Sequence, residues 1–229
     1  MLRDILLDAD ETLLDYKKAE RAALEQTAKQ FGTPFNSEFS KRYDEINQLL
    51  WRAFECGKVT RAQLGPRRFQ ELFAEYGITA DPVVANCFYM AELGKGSFLL
   101  PGALETCRVL SETYRLSIIT NGSAAVQKSR LEDSGLRALC TGCFISEEIG
   151  AQKPRKDFFQ KVLSALPGAT RETSLIVGDS LTSDILGGNL SGIRTCWYNP
   201  GGKENGHPSA HPDYEIQSLQ ELPRLCAGL

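Results

Sequence analysis

The chain has 229 residues, 42% of them hydrophobic, with 26 basic against 29 acidic side chains and a formal charge of -3. That length and apolar content support a substantial core and exclude disorder as the default. The charge balance supplies no general attraction to nucleic acid polymers or anionic membranes, so any phosphate affinity must be local and the partner small. No apolar run reaches the roughly 18 residues of a membrane span, and Arg3 and Asp4 do not lead into a cleavable apolar segment. Seven cysteines, an odd number spread from Cys56 to Cys226, read as free thiols, and a cytoplasmic protein is expected.

In chain order, Ile5, Leu6 and Leu7 read as a buried strand that stops at Asp8 and Asp10, with Thr12 close behind. Lys17 to Phe31 has helical spacing, Gly32-Thr33-Pro34 stops it, and Ser37 opens a second helix. A third is predicted from Arg61 to Tyr76, broken by Gly77, and a fourth from Pro82 to Leu93, before a flexible joint at Gly94-Lys95-Gly96. This texture predicts a small helical bundle.

Beyond Gly96 strands and helices alternate. A helix is predicted from Pro101 to Tyr114, a strand from Leu116 to Thr120 ended by Asn121-Gly122, and a helix from Ala124 to Ser134 closed by Gly135. Cys143 to Ser146 reads as a short strand, Arg155 to Leu166 as a helix, Leu175 to Val177 as a strand ending in Gly178-Asp179, and Thr195 to Tyr198 as one more strand. Such alternation implies an α/β protein with a Rossmann-like parallel sheet, whose ligands sit beyond the carboxyl ends of the strands. Cys140-Thr-Gly-Cys143 has no second pair to complete a zinc site, and His207 and His211 lie in a Pro-rich loop, which argues against a Ser/His/Asp triad.

Alternate residues leaving a strand point the same way, so Asp8 and Asp10 address one small volume, and their repulsion calls for a cation or a shared proton. Mg2+ suits such an oxygen site and commonly bridges carboxylates to phosphate. Thr120-Asn121-Gly122 and Gly178-Asp179 end strands on the same edge, and Lys153 lies in a loop that can reach it. Two acids, a hydroxyl followed by backbone amides, an amine and a third acid fit phosphoryl transfer to a carboxylate. Each member also has a plain structural reading: Thr120 as a strand-end hydroxyl, Lys153 as a solvated loop lysine, Asp179 and Asp184 as a helix-capping pair.

Four motifs, Asp8-Ala-Asp10-Glu-Thr12, Ile119-Thr120-Asn121-Gly122, Lys153-Pro154 and Gly178-Asp179-Ser-Leu-Thr-Ser-Asp184, together resemble the haloacid dehalogenase (HAD) superfamily. The resemblance implies a HAD-fold core over residues 1–14 and 98–229 and an inserted α-helical cap over residues 15–97. It implies Asp8 as nucleophile, Asp10 as general acid and base, Lys153 as charge partner, and Thr120, Asn121, Gly122 and Lys153 as the phosphate cradle. Mg2+ is implied at Asp8, the carbonyl of Asp10 and Asp179, with Asp184 orienting Lys153 or a metal-bound water.

An acid at position 10 is expected of the superfamily's phosphatases and phosphomutases rather than its dehalogenases. Glu11, which stands where many relatives have glycine, Ile145 to Pro154 and Ser183 to Gly188 resemble the bacterial pyrimidine 5'-nucleotidases of the house-cleaning type, as do cap positions Asn47, Leu50, Trp51, Gly57, Thr60, Arg68 and Phe69. Gln152 departs from that pattern, where a small apolar residue is expected. The resemblance implies hydrolysis of a nucleoside 5'-monophosphate, with the cap choosing the leaving group and Trp51 or Phe54 stacking on the base or else belonging to the bundle core. Two alternatives remain at this level: a phosphoglycolate or sugar phosphate phosphatase or phosphomutase, and a non-catalytic phosphate-binding regulatory module.

Overall fold

The structure, a computed structural model, describes residues 1–229. By its contacts the chain falls into two compact units, Lys17–Gly96 and the combination of Met1–Tyr16 with Ser97–Leu229. The chain opens on β1 (Asp4–Leu7), buried along its whole length, and then enters four helices, α1 (Tyr16–Phe31), α2 (Ser37–Glu55), α3 (Arg61–Tyr76) and α4 (Pro82–Gly94).

The helix ends of the smaller unit follow from capping chemistry. Asn36 accepts from the Phe39 amide at 2.8 Å, Gln63 reaches back to the Thr60 amide at 3.0 Å, and Asp81 accepts from the Val83 amide at 2.8 Å ahead of α4. Each satisfies an amide that the first helical turn leaves without an internal partner. The unit's core is aromatic: Phe69 lies 5.7 Å from Tyr43 and 5.5 Å from Tyr89, centroid to centroid. Arg68 is buried beside these rings and lies 4.6 Å over Tyr89. It donates to Asn47 at 3.2 Å and Asn86 at 2.9 Å, and Asn47 donates in turn to Glu20 at 2.8 Å. A buried cation held this way is tolerated because its donors meet oxygen and aromatic faces. Leu50 and Phe69 are core, whereas half-buried Trp51 packs edge-on to Phe54 and carries the Arg61 guanidinium 4.8 Å from its ring centroid.

After this insertion come α5 (Ala103–Ser111), β2 (Arg115–Thr120), α6 (Ala124–Asp133), β3 (Gly142–Ile145), α7 (Ser146–Ile149) and α8 (Lys156–Ala165). The chain closes with β4 (Ser174–Gly178), α9 (Leu186–Ser191), β5 (Arg194–Tyr198), β6 (Tyr214–Ile216) and α10 (Leu222–Ala227). The six strands form one sheet in the order β3-β2-β1-β4-β5-β6, and every pairing is parallel. Alternation along the strands divides the core. Ile5, Leu7, Leu116, Ile118, Leu175 and Val177 join one cluster with Ala103, Cys107 and Leu110 of α5. Leu6, Ile119 and Ile176 join another with Phe158, Phe159 and Val162 of α8. Both faces are therefore covered, as a parallel sheet requires.

Register places the site. Leu7 pairs with Ile118 on one side and Val177 on the other, so Asp8, Thr120 and Gly178 emerge together at the carboxyl edge. Strand order reverses between β1 and β4, the place where open α/β sheets bind ligands.

Several element limits differ from expectation. Pro101 stands in a turn, and α5 begins at Ala103 and ends at Ser111 rather than running to Tyr114. The β3 strand starts at Gly142 and yields at Ser146 to the short helix α7. Gly94, expected in a joint, is still helical and buried. The edge strand β6, at three residues, is too short to carry a period. All seven cysteines are free, and no helix is long and apolar enough to cross a membrane.

Candidate active site

At the end of β1 the Asp8 amide donates to the Val177 carbonyl at 2.9 Å, which extends the ladder by one bond and fixes where its side chain leaves the sheet. The chain then turns tightly: the amides of Leu13 and Leu14 both donate to the Ala9 carbonyl, at 2.9 and 2.8 Å. Glu11 takes φ 60 in this turn, a left-handed conformation that costs a side chain about 1–3 kcal/mol. That geometry explains why glycine is the expected residue there. The turn returns Thr12, whose hydroxyl donates to Asp8 Oδ2 at 3.1 Å and accepts from the Asp179 amide at 3.1 Å.

Lys153, only 2% exposed, spends its ammonium protons on three oxygens. Nζ lies 2.6 Å from Asp8 Oδ1, 2.7 Å from Asp184 Oδ1 and 3.0 Å from the Ile119 carbonyl. Its backbone is held by Asn121, which accepts from the Lys153 amide at 3.0 Å and donates to its carbonyl at 2.9 Å. Asn121 is therefore the strut that ties the Lys153 loop to the end of β2. Asp184 sits in a wide π-type turn, Leu181–Ile185, and also accepts from the Ser180 amide at 3.2 Å. Gly178 has no room for a side chain, since a Cβ there would strike the Asp184 carboxylate.

Thr120 Oγ1 accepts from the Gly122 amide at 3.0 Å and from Gln127 Nε2 at 2.8 Å. The same Gln127 nitrogen donates to Asp10 Oδ2 at 2.7 Å, and Arg130 pairs with Asp10 Oδ1. Gln127 and Arg130, one turn apart on α6, are absent from the sequence expectation. Their i, i+3 spacing behind a strand-end Asn-Gly was the available signal, since it puts both on one helix face directed at the sheet edge. The hydroxyl of Thr12 was likewise legible only as part of its motif.

The ligand oxygens of Asp8, Asp179 and Asp184 lie within 4.8 Å of one another. The Asp10 carboxylate stands outside this trio, so a share in holding an ion would fall to its carbonyl. Burial, with Asp184 and Asp10 nearby, pushes the Asp8 carboxyl up to about 7 although Lys153 opposes the shift. Burial first, then Asp8 and Asp184, raise Asp179 well above the ordinary carboxylate range. Burial alone would lower the Lys153 ammonium, but Asp184 and Asp8 more than offset it and hold the amine charged. Three clustered carboxylates facing one ammonium leave a buried excess of negative charge, and all their donors are hard oxygens. That set fits Mg2+.

A model described as haloacid dehalogenase-like hydrolase matches residues 3–192. With that match, the sheet order and the assembled strand ends, the chain belongs to the haloacid dehalogenase-like hydrolase family. It is 42% identical over 220 residues to HAD-hydrolase YfnB of Bacillus subtilis, spanning 96% of this chain and 93% of that one. A structure of YfnB bound to magnesium superposes with a TM-score of 0.94 over 98% of each chain, at 41% identity. The pyrimidine 5'-nucleotidase PynA of Streptococcus pneumoniae is 39% identical over 95% of this chain and 92% of its own length. The pyrimidine 5'-nucleotidase YjjG of Escherichia coli is 34% identical over 96% of each. The protein is thus a HAD-type hydrolase, similar to the subgroup that the motifs pointed to.

Proposed function

We propose that the protein is a Mg2+-dependent phosphatase that hydrolyses nucleoside 5'-monophosphates, pyrimidine ones preferred, through an aspartyl phosphate at Asp8. The observation that carries the phosphatase part of this reading is the triangle of Asp8, Lys153 and Asp184, with Asp10 at the same strand end, anchored separately on α6. The nucleotide part is supported by the similarity to PynA and YjjG. A nucleophilic carboxylate must stay ionised despite burial. Lys153 supplies one positive charge toward that end, and Mg2+, held by Asp8, the Asp10 carbonyl and Asp179, would supply the rest by neutralising charge shared between carboxylate and phosphate.

In the proposed reaction a carboxylate oxygen of Asp8 forms a bond to phosphorus as the bond to the ester oxygen breaks, and Asp10 gives its proton to that departing oxygen. Asp10, now a carboxylate, takes a proton from water as the water oxygen attacks phosphorus. The bond from phosphorus to Asp8 then breaks, releasing phosphate and restoring both acids. Thr120 donates its hydroxyl proton to a phosphate oxygen, and Lys153 balances the charge on Asp8 throughout. Seven free cysteines fit work in a reducing, cytoplasmic setting.

Phosphate release from a panel of nucleoside monophosphates, sugar phosphates and phosphoglycolate, with Mg2+ or chelator, tests the reading. Preference for pyrimidine monophosphates that is lost with chelator supports it. Metal-dependent release from sugar phosphates alone would overturn the nucleotidase part, and no release from any of them would favour a binding module.

A further inference from the structure

We propose that Gln127 and Arg130 are positioning residues that aim the Asp10 carboxyl, and that Gln127 ties its aim to the phosphate-gripping hydroxyl of Thr120. The inference rests on the reading of Asp10 as general acid and base and extends it to two residues behind it. The Asp10 side chain is 28% exposed while Arg130 is fully buried, so the carboxyl stands at a surface and its anchor does not. A guanidinium buried that deeply needs oxygen acceptors for its protons, and Asp10 Oδ1 supplies one. Fully buried Gln127 takes the other oxygen, Oδ2, at 2.7 Å. Its amide can face only one way: Oε1 accepts from Arg130 at 3.3 Å, which leaves both Nε2 protons for Asp10 and Thr120.

Two donors converge on Thr120 Oγ1, from Gln127 and from the Gly122 amide. With both lone pairs occupied, the hydroxyl proton of Thr120 points away from them and is left to donate to an anionic oxygen. One side chain thus orients the hydroxyl that grips phosphate and the acid that protonates the leaving group. Gly122 belongs to the same device, because a Cβ there would strike Gln127.

The test compares an unactivated substrate, a nucleoside monophosphate, with p-nitrophenyl phosphate, whose leaving group departs without a proton. Arg130→Met, Arg130→Lys and Gln127→Met are assayed alongside Asp10→Asn, with melting temperatures for each. In the first turnover, before water attacks the aspartyl phosphate, a misaimed general acid should slow nucleoside release at least about tenfold and p-nitrophenol release less than about threefold, as general acid catalysis contributes on the order of a hundredfold or more. The later water attack, common to both substrates, should slow equally. Arg130→Lys, which keeps the charge, should recover part of the nucleotide activity. Gln127→Met, which also releases the Thr120 hydroxyl, should add a loss shared by both substrates. Equal slowing of the first turnover on both substrates in the Arg130 variants, or no slowing in folded variants, would overturn the positioning role. If Asp10→Asn itself shows no leaving-group-dependent loss, the reading of Asp10 falls and this inference with it. A leaving-group-dependent loss confined to Asp10→Asn would refute the inference alone.

Discussion

The raised affinity of Asp8 for its proton makes metal binding and stability depend jointly on pH. In the metal-free protein the Asp8 carboxyl stands at about 7 against the 3.8 of an unperturbed aspartate. Between those limits the folded chain holds a proton that the unfolded chain has lost, so stability falls as pH rises through that window. The interval corresponds to about 4 kcal/mol at neutral pH, using about 1.4 kcal/mol per pH unit. Asp179, also raised, adds a loss of the same sign. Lys153 does not compensate, because its raised ammonium stays charged across this range and its contribution is lost only at more alkaline pH. A divalent cation relieves the cost of the ionised carboxylates, so stabilisation by Mg2+ should be small near pH 5 and several kcal/mol near pH 8 at saturation, roughly the size of the cost removed. Urea unfolding with Mg2+ or chelator across that range measures both quantities, and Asp8→Asn should flatten the metal-free slope. Equal stabilisation by Mg2+ at both ends, or a slope unchanged in Asp8→Asn, would refute the reasoning.

Three further changes have defined outcomes. Lys153→Met removes the cation from between Asp8 and Asp184 and should destabilise the fold at neutral pH by roughly 3–5 kcal/mol, the cost of stranding buried charge, with the loss shrinking at acid pH; chemical denaturation at two pH values reads it. Gly178→Ala should displace the Asp184 carboxylate from Lys153, costing about 1–3 kcal/mol by overpacking and most of the turnover, as shown by paired melting and activity assays. Trp51→Ala should lower turnover of a nucleotide more than that of a small sugar phosphate if the indole stacks on a base, and equal kinetic losses on both would assign Trp51 to the bundle alone.

The alternating apolar runs made the parallel sheet legible, because Ile5 to Leu7, Leu116 to Thr120 and Leu175 to Val177 lie at central positions with both faces covered. The residues that end those strands were legible for the same reason: once the sheet is parallel, Asp8, Thr120 and Asp179 must share an edge. Lys153 required more, since nothing local says that a loop lysine is buried, and its position depends on the strut from Asn121. Gln127 and Arg130 stayed hidden because polar residues on a helix ordinarily read as a solvated face, and only tertiary packing buries them. The helical insertion was visible in its Gly and Pro breaks and capping residues, whereas its buried Arg68, stacked on Tyr89 and bonded to Asn47 and Asn86, follows no periodic rule.

In the proposed reaction Asp8 carries the phosphoryl group. Rapid acid quench of a turnover mixture, followed by borohydride reduction, converts an aspartyl phosphate to homoserine, which peptide mass spectrometry locates. Homoserine is expected at position 8 in the wild type, none without substrate, and no turnover in Asp8→Asn. Turnover that persists in Asp8→Asn, or reduction product at another carboxylate, would contradict that role for Asp8.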